Sequence, residues 1–186
     1  MSRRLAVALV HHPVLDGKGE IVTTAITNLD VHDLARSART YGVTDYFVVH
    51  PIAAQRELVE RIRAHWTDGS SGKRIPDRRE ALTVLRIVKS LDEAIDVLGG
   101  RQNVEVWVTA ARRLGESVSF AEARERLRGD GRPVLLVFGT GWGLAPVVVA
   151  GADALLEPIS PAVGDYNHLS VRAACAIALD RLLGAR

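Results

Sequence analysis

The chain has 186 residues, 47% hydrophobic and 25% charged, a balance that suits one globular domain (1–186) with a sizeable core. Its single cysteine, Cys175, excludes an intrachain disulfide framework and fits a reducing, cytoplasmic setting. No stretch approaches the roughly 18 apolar residues of a membrane span, and a net charge of +2 permits nucleic-acid binding without requiring it.

Leu5–Val10 is a continuous apolar run that passes directly into His11-His12-Pro13. It reads as a strand buried on both faces and not as a signal peptide. Asp16-Gly17-Lys18-Gly19 is turn chemistry. Asn28–Tyr41 reads as a helix capped by Asn28 or Asp30 and stopped by Gly42. Tyr46–His50 is the next strand, ended by Pro51. Ala53–Trp66 is an amphipathic helix, with Leu58, Val59, Ile62 and Trp66 on one side. Asp68–Pro76, DGSSGKRIP, is the most loop-like segment.

Thr83–Val88 reads as a strand, Leu91–Leu98 as a helix and Val104–Thr109 as a strand. Ser119–Arg128 is a helix with Ser119 and Glu122 at capping-box spacing. Val134–Phe138 is a strand, Leu144–Val149 a short helix, Ala154–Leu156 a short strand and His168–Leu183 a long final helix. Cys175 lies in this last apolar run, as a buried small hydrophobe and not a nucleophile. The β-α alternation predicts an α/β fold with a mostly parallel sheet and helices on both faces.

Phe138–Leu144, FGTGWGL, joins a strand to a glycine-rich turn. A Rossmann-type nucleotide loop is one reading, with Glu157 near the spacing of a ribose-binding acid. That loop, however, usually follows the first strand, and here it comes late in the chain. The segments that follow it are LEPI (Leu156–Ile159) and an Asn-x-x-Ser-Val step at Asn167–Val171 leading into an Ala-rich helix. Thr27–Val43, TNLDVHDLARSARTYGV, supplies an Asn and an Arg-Ser-Ala-x-x-aromatic-Gly run. In this order the segments resemble the SPOUT RNA methyltransferases, and more closely a small stand-alone bacterial family related to the tRNA guanine-N1 methyltransferase group. The resemblance covers nearly the whole chain.

The resemblance implies a C-terminal deep trefoil knot, S-adenosylmethionine as cofactor, an RNA substrate (tRNA or rRNA) and a homodimer paired through knot helices. It places the cofactor on Phe138, Gly139, Thr140, Gly141, Trp142, Gly143 and Leu144, on Glu157, Pro158 and Ile159, and on Asn167, His168, Leu169 and Ser170. Asn167 precedes Ser170 by three positions, where the 2′-O enzymes have a spacing of two. A ribose 2′-hydroxyl target is therefore not implied.

Arg36 is the first catalytic candidate, because arginine stays charged and binds phosphate bidentately. Asn28 is another, or only a helix cap. Asp165 and His168 flank the cofactor segment, and either can act as general base. Arg36, Arg39, Lys73 and Arg74 are candidate RNA contacts. Asp30, His32 and Asp33 cluster on the first helix without the converging ligand set that a metal needs. Two rival readings stay open: a non-catalytic module that binds the cofactor or RNA, and a Rossmann-like nucleotide enzyme.

Overall fold

A computed structural model describes residues 3–185. In chain order the elements are β1 (Leu5–Val10), β2 (Val14–Leu15), β3 (Ile21–Val22), α1 (Asn28–Thr40), β4 (Tyr46–Val49), α2 (Ala53–Thr67), α3 (Ser70–Arg74) and α4 (Pro76–Ala81). They continue with β5 (Leu85–Val88), α5 (Leu91–Val97), β6 (Glu105–Val108), α6 (Phe120–Arg128), β7 (Val134–Gly139), α7 (Pro146–Ala150), β8 (Ala154–Leu155) and α8 (Val171–Leu183).

Six strands form one parallel sheet in the order β5-β4-β1-β7-β6-β8. β1 lies inside the sheet, and every residue of it is buried, which is why its sequence is unbroken by polar residues. Alternate side chains feed two cores. Leu5, Val7 and Leu9 pack with Tyr46, Trp107 and Leu136 beneath α1, α2, α6 and α8. Ala6, Ala8 and Val10 pack with Phe47, Val106 and Leu135 beneath α5 and α7. The expected parallel sheet with helices on both faces is therefore present.

The connectivity overturns the Rossmann reading. Counting only the six main-sheet strands in chain order, the sheet runs 3-2-1-5-4-6, whereas the usual dinucleotide fold runs 3-2-1-4-5-6. β7 is inserted beside β1, so the glycine turn at its end lies at the middle of the sheet. Ligands bind beyond the carboxyl ends of parallel strands, and this insertion brings that turn to such a position.

Several boundaries differ from the sequence expectation. Thr27, not Asn28 or Asp30, caps α1: its hydroxyl accepts from the Asp30 amide at 3.2 Å and donates to Asp30 Oδ2 at 2.6 Å. α8 begins at Val171 and not at His168, because the Ser170 hydroxyl caps it by accepting from Ala173 N–H. The segment expected as a loop is helical. Gly69 and Gly72 let α3 sit directly on the last turn of α2, where a Cβ on Gly72 would lie 1.9 Å from the Trp66 carbonyl oxygen. Pro76 then opens α4 at a position where its missing N–H costs nothing. The short β2–β3 hairpin around the Asp16 turn carries too few residues to be read from periodicity. Among the described residues no helix is long and apolar enough to cross a membrane.

Candidate functional site

A cleft of about 1190 Å³ opens beyond the carboxyl ends of β6 and β7. The glycine turn, Phe138–Leu144, forms one wall. Gly141 has φ +60°, and a Cβ there would lie 2.8 Å from the Leu15 carbonyl oxygen. Trp142 N–H donates to that same oxygen at 2.9 Å, and Leu15 N–H donates to the Gly143 carbonyl at 2.8 Å. The turn is thus fastened to the β2–β3 hairpin. The Trp142 indole lies against Gly17 yet remains 69% exposed at the rim.

The facing wall is the segment from Glu157 to Ser170. Glu157 Oε1 accepts from the Phe120 amide at 2.7 Å, where the positive end of α6 favours a carboxylate. Asn167 Nδ2–H donates to the Ala111 carbonyl at 2.7 Å and so ties this wall to the loop after β6. Among the described residues, no amide from 158 to 169 donates to a backbone carbonyl. Those backbone groups therefore remain for solvent or a ligand.

At the base of the cleft stands the buried carboxylate of Asp30. Arg172 Nη1 donates to its Oδ1 at 3.1 Å, and Arg172 Nε lies 3.4 Å from Asp33 Oδ2. Behind the glycine turn runs a relay of side chains. The Thr140 hydroxyl donates to the Val10 carbonyl and so accepts from the Thr24 hydroxyl. Thr24 Oγ1 in turn accepts from His11 Nδ1 at 3.0 Å. His50 Nδ1 accepts from the Ile52 amide, so its Nε2–H donates to the Thr24 carbonyl at 2.9 Å. Burial, then the neighbouring His50 ring, lower the His11 pKa to about 4, which leaves a neutral imidazole with the proton on Nδ1. Its buried Nε2 has no hydrogen-bond partner.

A family described as SAM-dependent RNA methyltransferase matches residues 4–184. The chain belongs to that family. A tRNA (guanine-N(1)-)-methyltransferase of Oleidesulfovibrio alaskensis is 44% identical over 185 residues, which are 98% of this chain and 43% of that protein. The chain thus spans less than half the length of that relative. A protein of Aquifex aeolicus with no assigned activity is 40% identical over 98% of this chain and 89% of its own. Two solved structures share the fold. The SpoU methyltransferase AviRb of Streptomyces viridochromogenes has a TM-score of 0.62, with 16% identity over 98% of this chain and 60% of its own. The A. aeolicus TrmH/SpoU tRNA modifying enzyme has a TM-score of 0.56, with 18% identity over 98% and 76%.

The family's methyl donor is S-adenosylmethionine, and the cleft brings together most of the residues expected around it. Phe138–Leu144, Glu157, Ile159, Asp165 and Asn167–Ser170 all line it, while Pro158 does not. The unengaged backbone groups of Ile159, Asn167, His168 and Leu169 on this wall suit a ligand read by hydrogen bonds, and the volume admits one of that size. Asp165 and His168 are exposed on the cleft rim, with the His168 ring 5.1 Å from that of Tyr166.

Asn28, Arg36, Arg39, Lys73 and Arg74 lie outside the cleft lining. Arg36 projects from α1 with its side chain 61% exposed and its Nη1 3.9 Å from Asp33 Oδ1. Thr109, Arg112 and Arg172 line the cleft, although no motif in the sequence marks them. For Arg172 a signal exists: a cation in the first turn of a helix opposes the helix dipole, so it requires a partner or a ligand. Cys175 is buried, and burial raises its thiol pKa to about 12, as a structural cysteine requires.

Proposed function

We propose that this chain transfers the methyl group of S-adenosylmethionine to RNA, with tRNA as substrate, in the cleft between the glycine turn and the 157–170 segment. One observation carries this reading: two segments far apart in sequence, Phe138–Leu144 and Glu157–Ser170, converge on one cleft at the carboxyl ends of the central strands. When bound, S-adenosylmethionine supplies an activated methyl on a sulfonium carbon.

The chain's own residues have three tasks. The glycine turn presents backbone without side chains, so a ligand approaches closely. The backbone groups of Ile159, Asn167, His168 and Leu169 would hold the adenine by hydrogen bonds, and Glu157 would hold the ribose. Arg112, Arg172 and Thr109 orient the acceptor, and Asp165 or His168 takes its proton. The 157–170 segment and α8 form the returning part of a trefoil knot. α8 keeps Val171, Ala174 and Ile177 half-exposed, which suits a homodimer paired through this helix. The setting is the cytoplasm.

Calorimetric titration with S-adenosylmethionine, NAD and ATP tests the reading, on the wild type and on Asn167→Ala. Binding of the methyl donor alone, weakened by Asn167→Ala, is expected. Binding of NAD or ATP in its place refutes it. Donor binding without any methyl incorporation into tRNA leaves the non-catalytic module as the better account.

A further inference from the structure

The positive charge of this chain is concentrated in one place. From Arg61 to the end of α4 at Ala81 there are six Arg or Lys residues against three acids, Asp68, Asp77 and Glu80. The whole chain has 24 against 22, so the remainder has 18 against 19 and is net negative. This segment is the end of α2 with α3 and α4, and it packs closely on itself. Gly69 and Gly72 meet the α2 backbone so closely that no Cβ fits. The Arg78 guanidinium stacks 4.7 Å from the Trp66 ring centroid, and His32 of α1 packs edge-on against the same ring at 5.5 Å. Lys73, Arg74 and Arg79 project outward from this base.

The basic face is continuous with the cleft. His32 and Arg36 lie one turn apart on α1. Arg36 pairs with Asp33 at 3.9 Å, Asp33 with Arg172 at 3.4 Å, and Arg172 lines the cleft. The Asp33 carboxylate thus sits between two guanidinium groups, one on the outer face and one on the cleft wall. That is a position where an anion is favoured and where arginine forks match a phosphate.

We infer that the α2–α3–α4 elbow and the exposed side of α1 form a track for an RNA backbone that leads into the cleft, and that Asp33 occupies a phosphate position on that track until RNA displaces it. This rests on the methyltransferase reading for the identity of the polyanion as RNA. Lys73, Arg74 and Arg79 hold phosphates at the outer end, while Arg36 and Arg172 hold the phosphate nearest the cleft. Such contacts are independent of base sequence and release counterions, so they are read in the salt dependence of binding.

The test measures affinity for unfractionated bacterial tRNA across a salt series, with S-adenosylmethionine titrated into the same proteins. Lys73→Ala/Arg79→Ala is expected to weaken tRNA binding and reduce the salt slope by about 2, roughly 1 for each phosphate left without its cation, with donor affinity unchanged. Asp33→Asn is expected to tighten tRNA binding, because it removes the carboxylate that lies between Arg36 and Arg172. An unchanged salt slope in the double variant, or looser binding by Asp33→Asn, overturns the track. A wild type that binds the donor but no tRNA overturns the track and leaves the donor site standing. A wild type that binds tRNA through these residues but not the donor supports the track and overturns the methyltransferase reading.

Discussion

Gly141 and Leu15 meet backbone to backbone: the Leu15 carbonyl oxygen lies 2.8 Å from where a Cβ on Gly141 would stand, and Gly141 has φ +60°. Two costs therefore fall on Gly141→Ala. The left-handed backbone costs about 1–2 kcal/mol, and the overlap with Leu15 adds about 1–3 kcal/mol. Gly143, at φ +109°, has nothing within 4 Å of its Cβ position. Gly143→Ala should show the backbone cost alone. Urea denaturation of the two variants separates these contributions, and equal destabilisation would remove any role for the approach to Leu15.

His11 makes stability depend on pH. It titrates near 6.5 when unfolded and near 4 when folded, so between those values the unfolded chain binds more protons. Its contribution is complete above about pH 6.5 and is lost as the pH falls toward 4. That displacement is worth about 3 kcal/mol. His50, also lowered by burial, acts in the same direction. His11→Asn keeps a donor toward Thr24 without an imidazole. Unfolding free energies at pH 7 and pH 4.5 should differ less in this variant than in the wild type, and an undiminished difference would show that His11 is not the group responsible.

The sheet was legible in the sequence because its signals are local. The unbroken apolar run of Leu5–Val10 could only be an inner strand, and the Ser119–Glu122 spacing marked a helix start that the structure retains. The elbow was not legible. Gly69, Gly72 and Pro76 are loop residues by composition, and the close approach of Gly69 and Gly72 to the α2 backbone is a contact that composition does not show. The cleft was half legible. The glycine turn announced itself, but the glycine at 141 answers to Leu15, which no spacing rule connects to it. Arg36 stood out by its motif yet lies outside the cleft lining, whereas Arg172 meets Asp30 from 142 positions away. Contacts of that range follow from the fold and not from any window of residues.

The elbow itself can be tested apart from its charges. A Cβ on Gly72 would lie 1.9 Å from the Trp66 carbonyl oxygen, and backbone cannot yield as a side-chain tip can. Gly72→Ala should lift α3 from α2 at a cost of about 1–3 kcal/mol. Hydrogen exchange should accelerate between residues 68 and 80 and stay unchanged in β1 and β7. tRNA affinity should fall while S-adenosylmethionine affinity holds. Uniform acceleration across the chain would mean that the elbow is no separate unit.

Asp30 and Arg172 join α1 to the first turn of α8 across the base of the cleft. The Asp30 side chain is 8% exposed and that of Arg172 is 32% exposed, so the arginine remains reachable while the carboxylate does not. Removing only the cation strands a buried charge, a change that costs about 3–5 kcal/mol in such pairs. Thr27, which also donates to Asp30, and the partial exposure of Arg172 place Arg172→Met at or below the lower end. Asp30→Asn/Arg172→Met removes both charges and should recover most of that stability. Chemical denaturation of the two single variants and the double variant gives the coupling directly. The double variant then isolates function: if it folds as the wild type does and binds the methyl donor, yet transfers no methyl group to tRNA while Asp30→Asn alone still does, Arg172 acts on the acceptor. If transfer persists, its role is confined to holding α1 against α8.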